Sequence, residues 1–189
     1  MIPRVQTLVV TMAAVALAGT AAGDVYVLLD LFNALSVRQF DSGGHELWQT
    51  DLPGHQDVAI AVGIDGSLFV SGTSGYPDQA WIEQIKSGSV EWQKRFELGH
   101  LSSVLAVAVA ADSVYVAGYG TEPGDKSSYW WIKNLTQYGV ERWHRTLTGP
   151  DNENAPFQLH LNTDGEIYAL GKGTGWQFSG SSLERWWGW

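Results

Sequence analysis

Ser113-Val-Tyr-Val-Ala-Gly-Tyr119 is apolar or small at almost every position. A β-strand whose two alternating faces are both apolar is covered on both sides, unlike a strand with one face in water. An aromatic segment, Trp130-Trp-Ile-Lys-Asn-Leu135, comes next along the chain, and Val140-Glu-Arg-Trp-His144 follows after a turn. This succession predicts three consecutive strands of one small antiparallel sheet.

The same succession occurs four times, in units that begin at residues 24, 67, 113 and 166. A glycine precedes a tryptophan by four residues in three of the units, and Ser182 replaces it before Trp186 in the last; the three pairs are Gly44/Trp48, Gly88/Trp92 and Gly139/Trp143. Self-similarity at such a period indicates a repeat architecture in which neighbouring units bury each other's apolar faces. The recurring Trp residues are therefore interpreted as contacts between units rather than as a ligand platform.

Two segments rich in small residues, 59–64 and 104–111, precede the second and third units. Small side chains fit where sheets crowd toward a common axis, so these segments are predicted to be innermost strands. Asp65-Gly66 and Asp164-Gly165 are typical of two-residue hairpin turns that lead into the next strand. The sequence predicts an all-β propeller with about three full four-stranded blades and a partial N-terminal blade, over residues 24–189.

The chain at this point resembles the SBBP-type β-propeller repeats of exported bacterial proteins. The likeness rests on the inner strand, the Asp-Gly turn, Val114-Tyr-Val-Ala-Gly118, the Trp-Ile-Lys strand and the Gly-x-x-x-Trp element. The last element is also similar, more weakly, to PQQ-type quinoprotein repeats. The resemblance implies a propeller fold outside the cytoplasm and does not imply a particular ligand.

The N-terminus has the pattern of a secretory signal peptide. Arg4 is followed by an apolar run over 8–17 and then by small residues up to Gly23. This order of charge, apolar core and small residues is the signature of a cleaved leader, and the run is shorter than the ~20 residues of a spanning helix. We expect residues 1–23 to form a signal peptide that is cleaved before Asp24, with cleavage after Ala18 or Ala22 as the alternatives. The product would be a periplasmic or extracellular protein without a membrane span.

No inner strand is apparent between the predicted cleavage site and the first unit, and none follows the last. Propellers have about four to eight blades. We therefore expect either a fragment of a longer propeller or self-association through the end blades. A strained four-bladed ring is the weaker alternative.

Composition excludes several classes of function. The chain holds 20 acidic against 11 basic residues, a net charge of −9, whereas nucleic-acid binding needs a basic face. It contains no cysteine, so thiolate metal sites and disulfides are excluded. The five histidines lack ligand spacing, and Asn162-Thr-Asp-Gly-Glu166 matches only part of a calcium loop. We expect no metal and no cofactor.

Four glutamates stand beside the Trp of the last strand in each unit, and they are interpreted as a solvated strand face rather than as paired catalytic carboxylates: Glu46, Glu91, Glu141 and Glu184. Long loops between strands two and three, and between successive units, are predicted to open on one face and to carry binding. The candidate contact residues there are Tyr76, Asp78, Tyr119, Glu122, Asp125, Asp151 and Glu153.

Two classes of function remain open. The first is an exported, non-catalytic binding or scaffold module for a protein or carbohydrate ligand. The second is a propeller enzyme, either a quinone-dependent oxidoreductase or a polysaccharide-active one, which would need convergent carboxylates or a cofactor pocket.

Overall fold

The computed structural model folds as an all-β protein, described for residues 13–20, 22–30, 34–53, 55–75, 79–96, 101–121, 128–147, 156–162, 166–171, 174–179 and 182–188. Sixteen strands are present in these ranges, and they divide in chain order into four groups of four. The strands are β1 (Ala13–Gly19), β2 (Val25–Asp30), β3 (Ala34–Phe40), β4 (Glu46–Pro53), β5 (His55–Val62), β6 (Leu68–Ser74), β7 (Gln79–Lys86), β8 (Ser89–Phe96), β9 (Leu101–Val109), β10 (Ser113–Thr121), β11 (Ser128–Thr136), β12 (Glu141–Leu147), β13 (Pro156–Leu161), β14 (Glu166–Gly171), β15 (Thr174–Ser179) and β16 (Ser182–Gly188).

Each group forms one antiparallel sheet in which neighbours in sequence are neighbours in space, β1 to β4, β5 to β8, β9 to β12 and β13 to β16. We refer to these as sheets 1 to 4. The first strands of successive sheets contact one another, β1 with β5, β5 with β9 and β9 with β13. Sheets that meet along their first strands and stack through their faces are the blades of a propeller, which confirms the predicted fold class.

Sheet 1 differs from the partial N-terminal blade that the sequence predicts. Ala13–Gly19, which lies in the predicted leader, pairs with β2 from Ala13 opposite Asp30 to Gly19 opposite Val25. Its sequence is rich in small residues, as are parts of β5 and β9, and it contacts β5 as β5 contacts β9. Sheet 1 therefore has four strands rather than three.

The predicted innermost strands are confirmed with shifted ends. β5 and β9 each end two residues earlier than predicted, at Val62 and Val109. After Val62 the chain turns through Gly63 and Gly66, whose N–H donates to the Gly63 carbonyl at 3.0 Å. The Asp65-Gly66 turn is present but spans 63–67, with Gly66 at a φ of +78°. Asp164 and Gly165 lie outside the described residues.

Apolar side chains from facing sheets fill the spaces between blades, because each second strand has two apolar faces. Tyr26 and Leu28 of β2 pack with Leu68 and Val70 of β6, and Trp81 joins them from β7. Phe69 lies between Leu68 and Val70 on β6, so its side chain is on the opposite face of the strand. It packs with Val114 and Val116 of β10 in the next cluster. The core thus runs through the stack as one apolar layer per interface.

The Gly-x-x-x-Trp element joins neighbouring sheets. Trp48 of sheet 1 lies against Gly88 of sheet 2, where an added Cβ would be 3.3 Å from the indole, and Trp92 of sheet 2 lies against Gly139 of sheet 3 in the same way, at 3.0 Å. Both glycines have positive φ, 79° and 77°, which favours glycine in the turn. We call each pair of a Trp and the next sheet's turn glycine a Trp–Gly contact. It confirms that these Trp residues fill contacts between units.

A second glycine–tryptophan pair lies inside sheets 2 and 3. Gly72 of β6 is opposite Trp81 of β7, and Gly118 of β10 is opposite Trp131 of β11. A Cβ on Gly118 would lie 2.8 Å from the Trp131 ring and would also collide with the Ser103 carbonyl oxygen. Only glycine leaves room for the indole and for β9 together.

Candidate functional site

The predicted contact residues fall almost entirely outside the described part of the chain. Tyr119 is described, and it lies in β10, opposite Ser103 of β9 and Trp130 of β11, because β10 continues to Thr121. It is half-buried in the sheet, whereas the sequence predicts it at the start of a loop. The other six lie outside the described residues: Tyr76, Asp78, Glu122, Asp125, Asp151 and Glu153.

The described residues form a cleft between sheets 1 and 2. It lies at the end of the strands opposite to the loops that are predicted to carry binding. It encloses about 670 Å³ and is built from the β1–β2 turn, the β5–β6 turn and the β7–β8 turn. We call the end of the molecule that carries these turns the turn face. The polar side chains that line the cleft are Thr20, Asp24, Tyr26, Gln39, Asp65, Lys86 and Ser87.

Asp65 is the centre of charge on one wall of the cleft. Its carboxylate accepts hydrogen bonds from Lys86 Nζ at 2.9 Å and from Ser67 Oγ at 2.8 Å, and a third from the Ser67 N–H at 3.1 Å. Burial opposes ionisation of Asp65, but these hydrogen bonds outweigh burial and lower its pKa. The same contact with Asp65 raises the pKa of Lys86. At neutral pH the wall therefore carries a closed ion pair.

Tyr26 and Asp24 line the other wall. The Tyr26 hydroxyl donates to the Gly66 carbonyl oxygen at 2.6 Å, which ties β2 to the β5–β6 turn. Burial, and then the charges of Asp24 and Asp65, raise the pKa of Tyr26, so it stays a protonated donor. Asp24 accepts a hydrogen bond from Gln39 Nε2 at 2.9 Å. Each of these polar groups already has a partner within the protein.

The rim of the cleft carries one strongly exposed apolar side chain. Ile64, in the β5–β6 turn, is 85% exposed. Tyr138, in the turn between β11 and β12, is 79% exposed, and Val140 beside it is 61% exposed. The turn face therefore combines a paired charge with single exposed apolar side chains.

A second charged cluster lies on sheet 3. Glu141 accepts a hydrogen bond from Lys133 Nζ at 2.8 Å and contacts His144 Nδ1 at 2.7 Å. Burial raises the pKa of Glu141, but the bonds from Lys133 and His144 outweigh it and lower the pKa overall. Lys133 is buried, with its Nζ 5.7 Å from the centre of the Phe96 ring. Glu141 thus differs from the solvated position predicted for it, because the sequence pattern does not reveal a buried lysine across the strand.

The other glutamates of that set are described in part. Glu46 and Glu91 are exposed, as predicted, and Glu46 pairs with Arg38 at 3.0 Å. Nothing is described for the side chain of Glu184. Among the hydrogen bonds and ion pairs of the described residues, none joins Glu46 or Glu91 to a second carboxylate.

Metal-ligating side chains do not gather in the described part of the chain, where no three His, Asp or Glu residues come together. In the partial calcium-loop pattern, Asn162 and Glu166 bond to each other across the turn, through Asn162 Nδ2 to Glu166 Oε2 at 2.7 Å and Glu166 N–H to Asn162 Oδ1 at 2.8 Å. Residues 163–165 between them lie outside the described ranges. Among the described residues, no helix has the length and apolar character needed to cross a membrane.

Comparisons with known proteins give structural likeness only. No known family profile matches the sequence, and no curated protein matches it. A crystal structure of a protein of unknown function from Bacteroides caccae superposes over 94% of this chain and 61% of its own, with a TM-score of 0.56 and 14% identity. Pyrococcus horikoshii acylaminoacyl peptidase superposes over 92% of this chain and 32% of its own, with a TM-score of 0.58 and 7% identity.

The chain thus spans less than two thirds of the length of either structure. At these identities the likeness shows the fold alone, in agreement with a propeller-like arrangement of four-stranded sheets.

Proposed function

We propose that this chain is an exported, non-catalytic binding or scaffold module that presents its loops on one propeller face. A rigid set of sheets with loops at its ends is the arrangement on which binding residues are usually carried. The Trp–Gly contacts and the apolar layers between sheets supply that rigidity here. The ligand class we propose is a protein or a carbohydrate.

The observation that carries the non-catalytic part is the bonding inside the turn-face cleft. A general acid or base needs a pKa near the working pH and reach to a substrate proton. The pKa of Asp65 is instead lowered by Lys86 and Ser67, and the pKa of Tyr26 is raised by burial and by neighbouring carboxylates. Tyr26 joins sheet 1 to sheet 2 through Gly66, and Asp65 is bonded to Ser67 and Lys86 within sheet 2, so both groups act in holding the structure, which supports a non-catalytic role for the cleft.

Export is the second part of the proposal and rests on the N-terminal sequence. The charge at Arg4, the apolar run over 8–17 and the small residues up to Gly23 support it. By mass spectrometry, protein recovered outside the cytoplasm of an expressing bacterium should lack at least residues 1–18, and cleavage at the expected position would make Asp24 its first residue. An intact N-terminus on exported protein would contradict cleavage.

The binding proposal is tested by comparing the two faces of the molecule. Exported protein is screened against glycan and peptide arrays, and any ligand is then titrated against two variants. We call the end of the molecule predicted to carry the long loops the loop face. The loop-face variant is Tyr76→Ala with Asp78→Ala, and the matched turn-face variant is Ile64→Ala with Ser87→Ala. We expect the first to lose at least about tenfold in affinity and the second to bind as the parent does.

A reversed pattern would move the binding site to the turn face. Turnover of a polysaccharide, or tight quinone binding with redox activity, would instead support the propeller-enzyme alternative and overturn the proposal.

A further inference from the structure

The segment Ala13–Gly19 belongs both to the predicted leader and to sheet 1. Its apolar residues complete the run that marks a leader, and the same residues form β1, the inner strand of sheet 1. Cleavage after Ala18 or Ala22 would cut either near the end of β1 or in the β1–β2 turn. On the proposed export, therefore, processing separates a strand from the sheet that it completes.

The β1–β2 turn is a well-formed hairpin in the uncut chain. Its Thr20 N–H donates to the Asp24 carbonyl at 2.9 Å, the Asp24 N–H donates to Thr20 Oγ1 at 3.1 Å, and Gly23 has a φ of +89°. Because the turn links β1 covalently to β2, the effective concentration of β1 at the edge of β2 is high. After a cut, only the strand pairing and the packing would hold the segment.

Removal of β1 would leave one edge of β2 without its hydrogen-bonding partner. That edge runs from Val25 to Asp30. β2 is anchored from its other side by β3, in unbroken register from Val25 opposite Phe40 to Asp30 opposite Leu35. Its Tyr26 and Leu28 are also buried against sheet 2. β2 is therefore held in an extended conformation by contacts that do not involve β1, and an ordered edge of this kind accepts an added strand.

We propose that the inner edge of β2 is an acceptor site for an extended segment of about seven small apolar residues, supplied by a partner polypeptide after the leader is removed. The inference rests on the proposed export. The chemistry of the occupant is taken from β1: antiparallel pairing with Val25–Asp30, and small residues where β1 contacts β5.

The site is tested on the full chain, without relying on export. A specific protease site is inserted between Ala22 and Gly23, and the purified protein is cut and separated from residues 1–22, which would otherwise still fill the site. A fluorescent peptide of residues 13–19 is then titrated while anisotropy is followed. We expect saturable binding to the cut chain and at least about tenfold weaker binding to the uncut chain, whose own β1 fills the site.

A peptide carrying Leu17→Pro is the matched control. Proline removes a donor from the strand ladder, so its affinity should fall by about tenfold or more. A second cut, placed in the β3–β4 turn between Ser42 and Gly43, controls for chain scission and should create no peptide binding.

Three results would overturn the acceptor site: a cut chain that stays folded and does not bind the peptide, a cut chain that unfolds, or equal binding of the parent and proline peptides. Failure of export is read separately, from the N-terminal mass of exported protein, so the two failures are distinguishable.

Discussion

Sheets 2 and 3 share a feature that sheet 1 lacks. Trp81 and Trp131 lie opposite Gly72 and Gly118, and each indole packs into the apolar layer facing the preceding sheet. The equivalent pair in sheet 1 is Leu29 and Ser36.

In sheets 2 and 3, therefore, the large aromatic fills the interface with the preceding sheet. In sheets 2 and 3 a glycine opens the space that the tryptophan fills, whereas in sheet 4 Trp176 is opposite Ala169. Sheet 1 has Ser36 at the tryptophan position, and the half-buried Arg38 follows two residues later on the same face. The following predictions test how far each sheet depends on its own version of these contacts.

The largest effect is expected from Gly118→Ala. The new Cβ would collide with the Ser103 carbonyl and press on the Trp131 ring, with no flexible side chain to yield. We expect a loss of about 3 kcal/mol or more in the free energy of unfolding. Denaturant melts of the full, uncut chain measure it, with Gly19→Ala as the control, because that Cβ would meet nothing nearer than 3.7 Å. Equal stability of the two variants would contradict the role of the glycine.

Glu141→Gln should have the next largest effect, because it leaves the buried Lys133 without its carboxylate. Hydrogen bonds to charged groups contribute about 1.5–3 kcal/mol, so we expect a loss of about 2 kcal/mol at pH 7. The matched change in sheet 1 is Glu46→Gln, whose partner Arg38 is more exposed, and it should cost less than about 1 kcal/mol. Similar losses would show that burial of the lysine adds nothing.

The Glu141 contribution should depend on pH in one direction. The pKa of Glu141 is lowered in the folded protein, so the stability it adds is fully present above its ordinary pKa of 4.5 and falls as pH drops through the folded value. The difference between parent and Glu141→Gln should therefore shrink below about pH 4.5. Melts at a series of pH values test this, and a difference that grows at low pH would refute it.

Trp92→Phe and Trp48→Phe compare two Trp–Gly contacts that differ by one hydrogen bond. Trp92 Nε1 donates to the Gln137 carbonyl at 2.8 Å, whereas Trp48 Nε1 has no hydrogen-bond partner among the described residues. Both variants lose the same ring volume. We expect Trp92→Phe to cost about 1 kcal/mol more than Trp48→Phe. Equal costs in denaturant melts would show that this hydrogen bond contributes nothing.

Asp65→Asn should have the smallest effect. The Asp65–Lys86 pair has side chains that are 39% and 50% exposed, so its contribution should be below about 1 kcal/mol and should fall further as salt is added. Melts at low and high salt measure it. A large, salt-independent loss would indicate that the cleft wall depends on the carboxylate far more than its exposure suggests.

The repeat in the sequence predicts most of the fold because the same contacts recur in each sheet. The Gly-x-x-x-Trp spacing can be read directly from the sequence. Its structural cause is the same at Trp48 and Trp92, because each of these side chains packs against the turn of the next sheet. β5 and β9 are likewise predicted from their small residues. β1 has a similar composition, but its place behind Arg4 favours a leader, and local pattern cannot show which strand it pairs with.

The site is less predictable from sequence than the fold. The turn-face cleft combines Asp24 and Tyr26 with Asp65 and Lys86, which are distant in sequence and belong to no motif. Lys133 and Glu141 meet through cross-strand register, not through spacing along one strand. The residues predicted for the loop face remain predictions, apart from Tyr119, whose position in β10 corrects the loop boundary.

The Trp–Gly contact also imposes a direction on assembly. Trp48 and Trp92 are each covered by a turn that belongs to the following sheet, so sheets 1 and 2 each need the next sheet to finish burying the tryptophan of the last strand. As the chain emerges from a ribosome or a translocation channel, sheet 2 covers Trp48 of sheet 1, and sheet 3 then covers Trp92 of sheet 2. Until the following turn is made, the indole of Trp48 or of Trp92 lacks that cover, and a pause at this point would leave it open to contact with chaperones or with another unfinished chain.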